Sequence, residues 1–193
     1  YQPRRLTLAH RAAAVTEDSH PRPTGLDALA RLRAVHADGV QTAGNSCAVV
    51  DGAAAALVGR ASDCTRPALA RLVASAVVGV DPAFMGIGPA PAIRLLLHRS
   101  GLRLDEIGRV EINEAQAAQV LAVAQELELD SARLNVLGGS LALGHPLAAS
   151  GLRLVMTLAR QLRRHNLRYG IAAACVGGGQ GMALLIENPA WRA

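Results

Sequence analysis

Apolar residues recur along this chain in two rhythms. Over residues 148–165, Leu152, Val155, Met156, Ala159 and Leu162 fall three or four apart, while Arg153, Arg160, Arg163 and Arg164 lie off that stripe. This spacing predicts an amphipathic helix, and the last three arginines complement its dipole. Shorter helices are expected over 27–36 (Leu29, Leu32, Val35), over 92–99 up to Ser100-Gly101, and over 114–129. The inner face of the last is expected to carry Ala117, Leu121, Ala124 and Leu127 or Glu128. Continuous apolar runs predict strands. The run 53–58, bounded by glycines, reads as a buried strand; 69–80 suits a buried central strand; 109–112 is a short one. Residues 169–176 and 182–187 flank a Gly-Gly-Gly-Gln-Gly turn and read as a hairpin-like pair. Between these elements, 60–67 suggests one or two helical turns and 81–91 a Pro/Gly loop, while 1–25 is irregular, broken by Pro3, Pro21, Pro23 and Gly25. Strands alternating with helices predict an α/β domain layered helix–sheet–helix.

Composition narrows the picture. A chain of 193 residues can bury a substantial core. With one Phe, one Trp and two Tyr, that core must be Ala, Val, Leu and Ile. The net charge of +5 is mostly arginine, set singly or in pairs along helices without stacking aromatics, which argues against nucleic acid. A positive field suits an anionic substrate or a cofactor phosphate. Cys47, Cys64 and Cys175 show neither CxxC nor zinc spacing, and no metal site is expected. Their odd number, without a secretory signal, fits a reducing, cytoplasmic setting. No apolar run approaches the roughly 18 residues that span a bilayer. From the abrupt opening without Met, the natural N-terminus is expected elsewhere.

Three stretches carry candidate chemistry: 110–118 (VEINEAQAA), 135–151 (NVLGGSLALGHPLAASG) and 172–181 (AAACVGGGQG). His145 precedes Pro146 at the mouth of a helix, where the dipole disfavours the imidazolium; it reads as a neutral base or as a capping residue. Cys175 ends an apolar strand beside glycines whose N–H groups can stabilise a thiolate or an oxyanion; a small core residue is the plainer reading. Asn113 precedes a helix and reads as an N-cap or as a holder of a water or carbonyl oxygen. Glu114 reads as a first-turn acid. Ser140 and Ser150 flank His145, but no GxSxG elbow is present. The glycines 177–179 and 181 do not spell a dinucleotide fingerprint.

Taken in order, NEAQAAQVLA (113–122), NVLGGSLALGHPLAASG (135–151) and CVGGGQG (175–181) closely resemble the three C-terminal motifs of thiolases, the acyl-CoA C-acyltransferases. TAGNSCAVVDGAAA (42–55) and VGVDPAFMGIGPAPA (78–92) resemble two further family segments, and the similarity runs from Thr16 to Glu187. The NEA form points away from sterol-carrier-type thiolases. The resemblance implies thiolysis of a 3-ketoacyl-CoA or Claisen condensation of acyl-CoAs, with coenzyme A as substrate and no other cofactor. By resemblance His145 activates an acyl-accepting cysteine, and Cys175 moves a proton at the substrate α-carbon. Asn113, through a water, and His145 bind the thioester oxygen, and the Gly177 N–H serves the oxyanion hole. Ala43, Cys47, Met85 and Gln116 are the positions implied for substrate and coenzyme A.

The acyl-accepting cysteine of thiolases lies in an N-terminal motif that none of the three cysteines matches. The resemblance therefore covers the C-terminal half, with residues 1–50 as the tail of the substrate-covering loop region and 51–193 as the C-terminal domain. It implies a missing N-terminal half as partner, a homo-oligomer, and an isolated chain without turnover. The rival reading is a non-catalytic acyl-CoA-binding or complementing half. Cys47 stands where the family usually has a serine that bonds the pantetheine arm, and a thiol is the weaker donor. Gln116 replaces a usual phenylalanine. Ala148 replaces a usual glycine, which requires a negative φ there.

Overall fold

The computed structural model describes residues 17, 18 and 20–192. Most of the expected irregular opening, Pro3 included, lies outside them. Strands β1 (Arg71–Gly79), β2 (Ile107–Ile112), β3 (Tyr169–Val176) and β4 (Gln180–Glu187) form one sheet in the order β1-β4-β3-β2. The expected hairpin is present: β3 and β4 pair from Tyr169↔Glu187 to Val176↔Gln180. Its turn holds Gly178 and Gly179 at φ 89°, a conformation that a side chain would strain. β4 is antiparallel to β1 and β3, whereas β2 is parallel to β3. Three strands therefore run the same way and end at one edge.

The helices are α1 (Leu26–Ala30), α2 (Pro89–Ser100), α3 (Ala117–Glu126), α4 (Ser140–Leu143) and α5 (Ser150–Arg164). α2 starts three residues earlier than expected, because a proline in the first turn has no N–H to waste. It stops at Gly101, whose φ of 67° is left-handed. Ile93 and Leu96 of α2, with Val120 and Val123 of α3, cover one sheet face made by Val110, Ile112, Ile171, Ala183 and Leu185. On the other face Leu154, Leu158 and Leu162 of α5 meet Ala172 and Ile186. The layering is helix–sheet–helix, as the pattern predicts.

Several local expectations fail for identifiable reasons. Residues 53–58 form no strand: they pair with nothing, and Leu57 and Val58 are exposed. A short Ala-rich run needs a ladder partner to become a strand, and among the described residues none approaches. The helix expected over 27–36 shrinks to α1, which buries none of its residues. β1 is an edge strand, not a central one. Its continuous apolar run does not mean burial on both faces: Leu72 and Val77 lie on the α5 side of the sheet, beyond the reach of α5 itself, and stay exposed.

On α3 the buried stripe is Val120, Val123 and Leu127, and Leu121 is 68% exposed. The expected face is one residue out because alanines at 117 and 124 are too small to decide it. Ties at the helix start decide instead: the Ala117 N–H donates to the distant Asn45 carbonyl (2.8 Å), and locally the Ala115 N–H donates to Gln119 Oε1 (3.2 Å). Val123→Ala should therefore cost roughly 2 kcal/mol in urea denaturation, and Leu121→Ala less than about 0.5 kcal/mol. The reverse order would restore the other register. On α5, Leu154 and Leu158 replace Leu152, Val155 and Met156 at the centre of the stripe, and the latter three are half-buried.

Candidate active site

Ligands in sheets of this kind sit beyond the carboxyl ends of parallel strands, and the candidate residues gather there. Asn113 follows β2 directly and is buried, with its N–H donating to the Ala173 carbonyl of β3 (2.9 Å). The N-cap reading falls away, because α3 begins at Ala117 with Gln116 at its cap and no side chain capping it. The Asn113 side chain turns instead to Ser140, whose Oγ donates to Oδ1 at 2.8 Å. Glu114 is likewise no first-turn acid. Its carboxylate accepts from Asn135 Nδ2 (2.9 Å) and from the Leu141 N–H (3.0 Å), holding the glycine loop against the strand end. Asn135, at φ 44°, makes a further pair of bonds to the N–H and carbonyl of Ile112, acting as a surrogate strand neighbour.

His145 lies five residues before the first residue of α5, not at its first turn. Its Nδ1 is 2.6 Å from Ser150 Oγ. The imidazole is held below its ordinary pKa of 6.5 as expected, but for another reason: burial first, then the nearby Arg153 guanidinium. Its backbone N–H donates to the Ala48 carbonyl (2.7 Å), while the Cys47 N–H donates to Ala115 (3.0 Å). The Cys47 segment is thus stitched between the Asn113 and His145 segments. Ala148 is not among the residues with positive φ, so its replacement of glycine is unstrained.

Cys175 is the penultimate residue of β3, half-buried, and leads to the exposed Gly177. The surroundings of its thiol favour the protonated form. Burial pushes the pKa above 9.0, its own backbone N–H offsets part of that, and Cys47 adds to the rise. Cys47 is raised too, by burial and then, against its own backbone N–H, by Glu114. Neither thiol is a resting thiolate; a proton donor suits Cys175 better than a nucleophile. Gln116 bridges to Ser46 beside Cys47. Met85 sits at the same sheet edge, in the 3-10 turn of residues 82–87 that follows β1. Ala43 is exposed on a turn tied down by Thr42 and Asn45. Among the described residues no group of three or more His, Cys, Asp or Glu could hold a metal.

Three polar residues were not recognised as part of the site. Ser150 orients His145, Ser140 orients Asn113, and Arg153 Nη2 donates to Ser140 Oγ (3.0 Å). The available signal was the i, i+3 spacing of Ser150 and Arg153, which puts both on one side of the first turn of α5. Glu111 is a further buried polar residue, on β2. It is buried under α5, accepts from Gln161 Nε2 (2.6 Å), and leaves Oε2 without a partner, as Gln161 leaves Oε1. Burial drives its pKa from 4.5 to about 7; Gln161 and Arg153 pull it down and Glu114 pushes it up.

Known proteins are similar to this chain in sequence and in fold. The thiolase C-terminal domain matches residues 66–188 and the thiolase N-terminal domain matches residues 3–62. An acetyl-CoA acetyltransferase of Pseudomonas aeruginosa is 48% identical over 176 residues, which are 89% of this chain and 45% of that protein. The mitochondrial 3-ketoacyl-CoA thiolase of Bos taurus is 47% identical over 179 residues, 90% of this chain and 45% of its own length. The crystal structure of human mitochondrial 3-ketoacyl-CoA thiolase in complex with CoA superposes with a TM-score of 0.87 at 44% identity, covering 91% of this chain and 46% of that one. This chain thus spans about half the length of these relatives. With the sheet, the Asn113–Ser140 and His145–Ser150 pairs and the Cys175 hairpin in one continuous frame, and with family matches along most of its length, the chain belongs to the thiolase family.

Proposed function

We propose that this chain is the part of a thiolase-type acyl-CoA C-acyltransferase that supplies the base, the proton-transfer thiol and the oxyanion contacts. It acts on a 3-ketoacyl-CoA with coenzyme A, or on two acyl-CoAs in the reverse direction. The observation that carries this reading is the convergence of Asn113, His145 and Cys175 at one sheet edge, with His145 kept neutral by burial and Arg153. A neutral imidazole can take the proton of an incoming thiol. It can also donate to a thioester oxygen, provided that its tautomer changes. The Ser150 hydroxyl both donates and accepts, so it supports either tautomer through the 2.6 Å contact. Cys175, protonated at rest, is suited to giving a proton to an α-carbanion and taking it back. Cys47, Met85, Gln116 and Ala43 are assigned to the substrate and coenzyme A side.

The acyl-accepting cysteine is assigned to an N-terminal thiolase half outside these residues. The bare patch on the α5 side of the sheet supports this. Leu72 and Val77 of β1, Val176 of β3 and Met182 of β4 are exposed there together. A contiguous apolar patch of this kind marks a docking surface.

The test is thiolysis of acetoacetyl-CoA by this chain alone and with the N-terminal half of a thiolase joined to it. Turnover is expected only in the joined form. Turnover by the chain alone that Cys175→Ala abolishes would overturn the assignment, since Cys175 would then be the nucleophile. No turnover in a folded joined form would favour a binding role over an enzyme.

A further inference from the structure

We infer that Arg153 is a positioning residue for the reaction: acting through Ser140, it fixes which end of the Asn113 amide faces the substrate. This rests on the thiolase reading of the site. A guanidinium only donates, so the 3.0 Å contact from Arg153 Nη2 makes Ser140 Oγ an acceptor on that side. A hydroxyl has a single proton, and the remaining close partner is Asn113 Oδ1 at 2.8 Å. The proton therefore points at Asn113, and the carbonyl end of the amide is engaged. Its other end, Nδ2, has no partner among the described residues and is left as a donor. The direction of the whole relay is set by its charged end: Arg153 donates to Ser140, Ser140 to Asn113, and Asn113 to whatever oxygen occupies the site.

The geometry allows little alternative while Arg153 is in place. Ser140 is completely buried and Asn113 nearly so, so solvent cannot substitute for either partner. If the amide flipped, Ser140 Oγ would have to accept from both Arg153 and Nδ2, and its own proton would be stranded in the interior. Without the guanidinium that penalty vanishes: the hydroxyl can donate or accept, and the two amide orientations become similar in free energy. Only one of them offers a donor to a developing oxyanion, and that interaction matters in the transition state more than in substrate binding. Arg153 lies one turn after Ser150 on α5, so one helix turn orients both Asn113 and His145.

The experiment is a double-mutant cycle on kcat in the joined two-part protein, using Arg153→Met, Ser140→Ala and the pair. Arg153→Met is expected to lower kcat about tenfold with KM within about twofold. Adding it to Ser140→Ala is expected to cause little further loss, because the second change removes a partner that no longer has a relay. Arg153→Lys, which can still donate to Ser140, is expected to recover much of kcat. Equal kcat for Arg153→Met and the parent, or losses that multiply in the pair, would overturn the inference. Should Arg153→Met not fold, a parent-like kcat for Ser140→Ala, or a kcat for Arg153→Lys as low as that of Ser140→Ala, would do the same. If the unsubstituted two-part protein is inactive, the functional reading fails. The relay is then read on this chain from the Asn113 side-chain amide NMR resonances. They are expected to shift in Arg153→Lys or Ser140→Ala, and unchanged resonances in both overturn it.

Discussion

His145→Ala, in this chain joined to the N-terminal half of a thiolase, is expected to lower kcat/KM for acetoacetyl-CoA thiolysis by about 10²-fold or more. No nearby group can substitute. Cys175 is held protonated by burial, and Glu114 spends its carboxylate on Asn135 and Leu141. The pH profile supplies a second readout. Burial and Arg153 lower the pKa of His145 from 6.5, so the neutral base persists into mildly acidic solution. Activity should therefore fall on acidification only below pH 6.5, as the imidazole gains its proton. In His145→Ala that limb should be absent. A variant within threefold of the parent, or one that keeps the limb, would remove His145 from the mechanism.

Glu111→Gln is expected to alter the pH dependence of stability more than other single changes outside the site. In the folded chain its pKa is about 7, against 4.5 for an unburied carboxyl. The folded state thus holds this proton more tightly than the unfolded state. The corresponding stability is fully present below pH 4.5 and is lost as pH rises through about 7. A displacement of that size is worth roughly 3 kcal/mol. Physically, a proton on Oε2 turns one of two unmatched acceptors, Glu111 Oε2 and Gln161 Oε1, into a donor. Removing the proton leaves a buried charge helped only by Gln161 and, at a distance, Arg153. Glutamine at 111 keeps the shape and does not titrate. The stability of Glu111→Gln relative to the parent should rise by roughly 3 kcal/mol between pH 4.5 and pH 8 in urea denaturation. Parallel stability curves for the two proteins would show that Glu111 does not titrate in this range.

Local patterns located the elements whose stabilisation is itself local. α2 is stopped by the left-handed Gly101, and the β3–β4 turn is set by two glycines at positive φ; each of these signals acts within a few residues. α5 and the hairpin were legible for the same reason. The motifs around Asn113, His145 and Cys175 were legible as a set, although each alone admitted a structural reading. What could not be read locally was every property that depends on a partner distant in sequence. The 53–58 run lacks a neighbouring strand and so is not one. The edge position of β1 follows from β4 inserting between it and β3. The inner face of α3 is chosen by Asn45, about seventy residues earlier.

The site divides in the same way. The residue types present, an amide, an imidazole and a thiol among glycines, are determined by the sequence alone, as is the family they belong to. Their chemical states are decided by tertiary structure. His145 is neutral through burial and Arg153 rather than through a helix dipole, because α5 begins too far along the chain for its dipole to act. Cys175 stays protonated because desolvation outweighs its backbone contact. Asn113 caps nothing and is instead aimed by Ser140, 27 residues away. Desolvation and hydrogen-bond direction belong to the folded surroundings of a group, whereas periodicity and turn chemistry belong to its immediate neighbours in the chain.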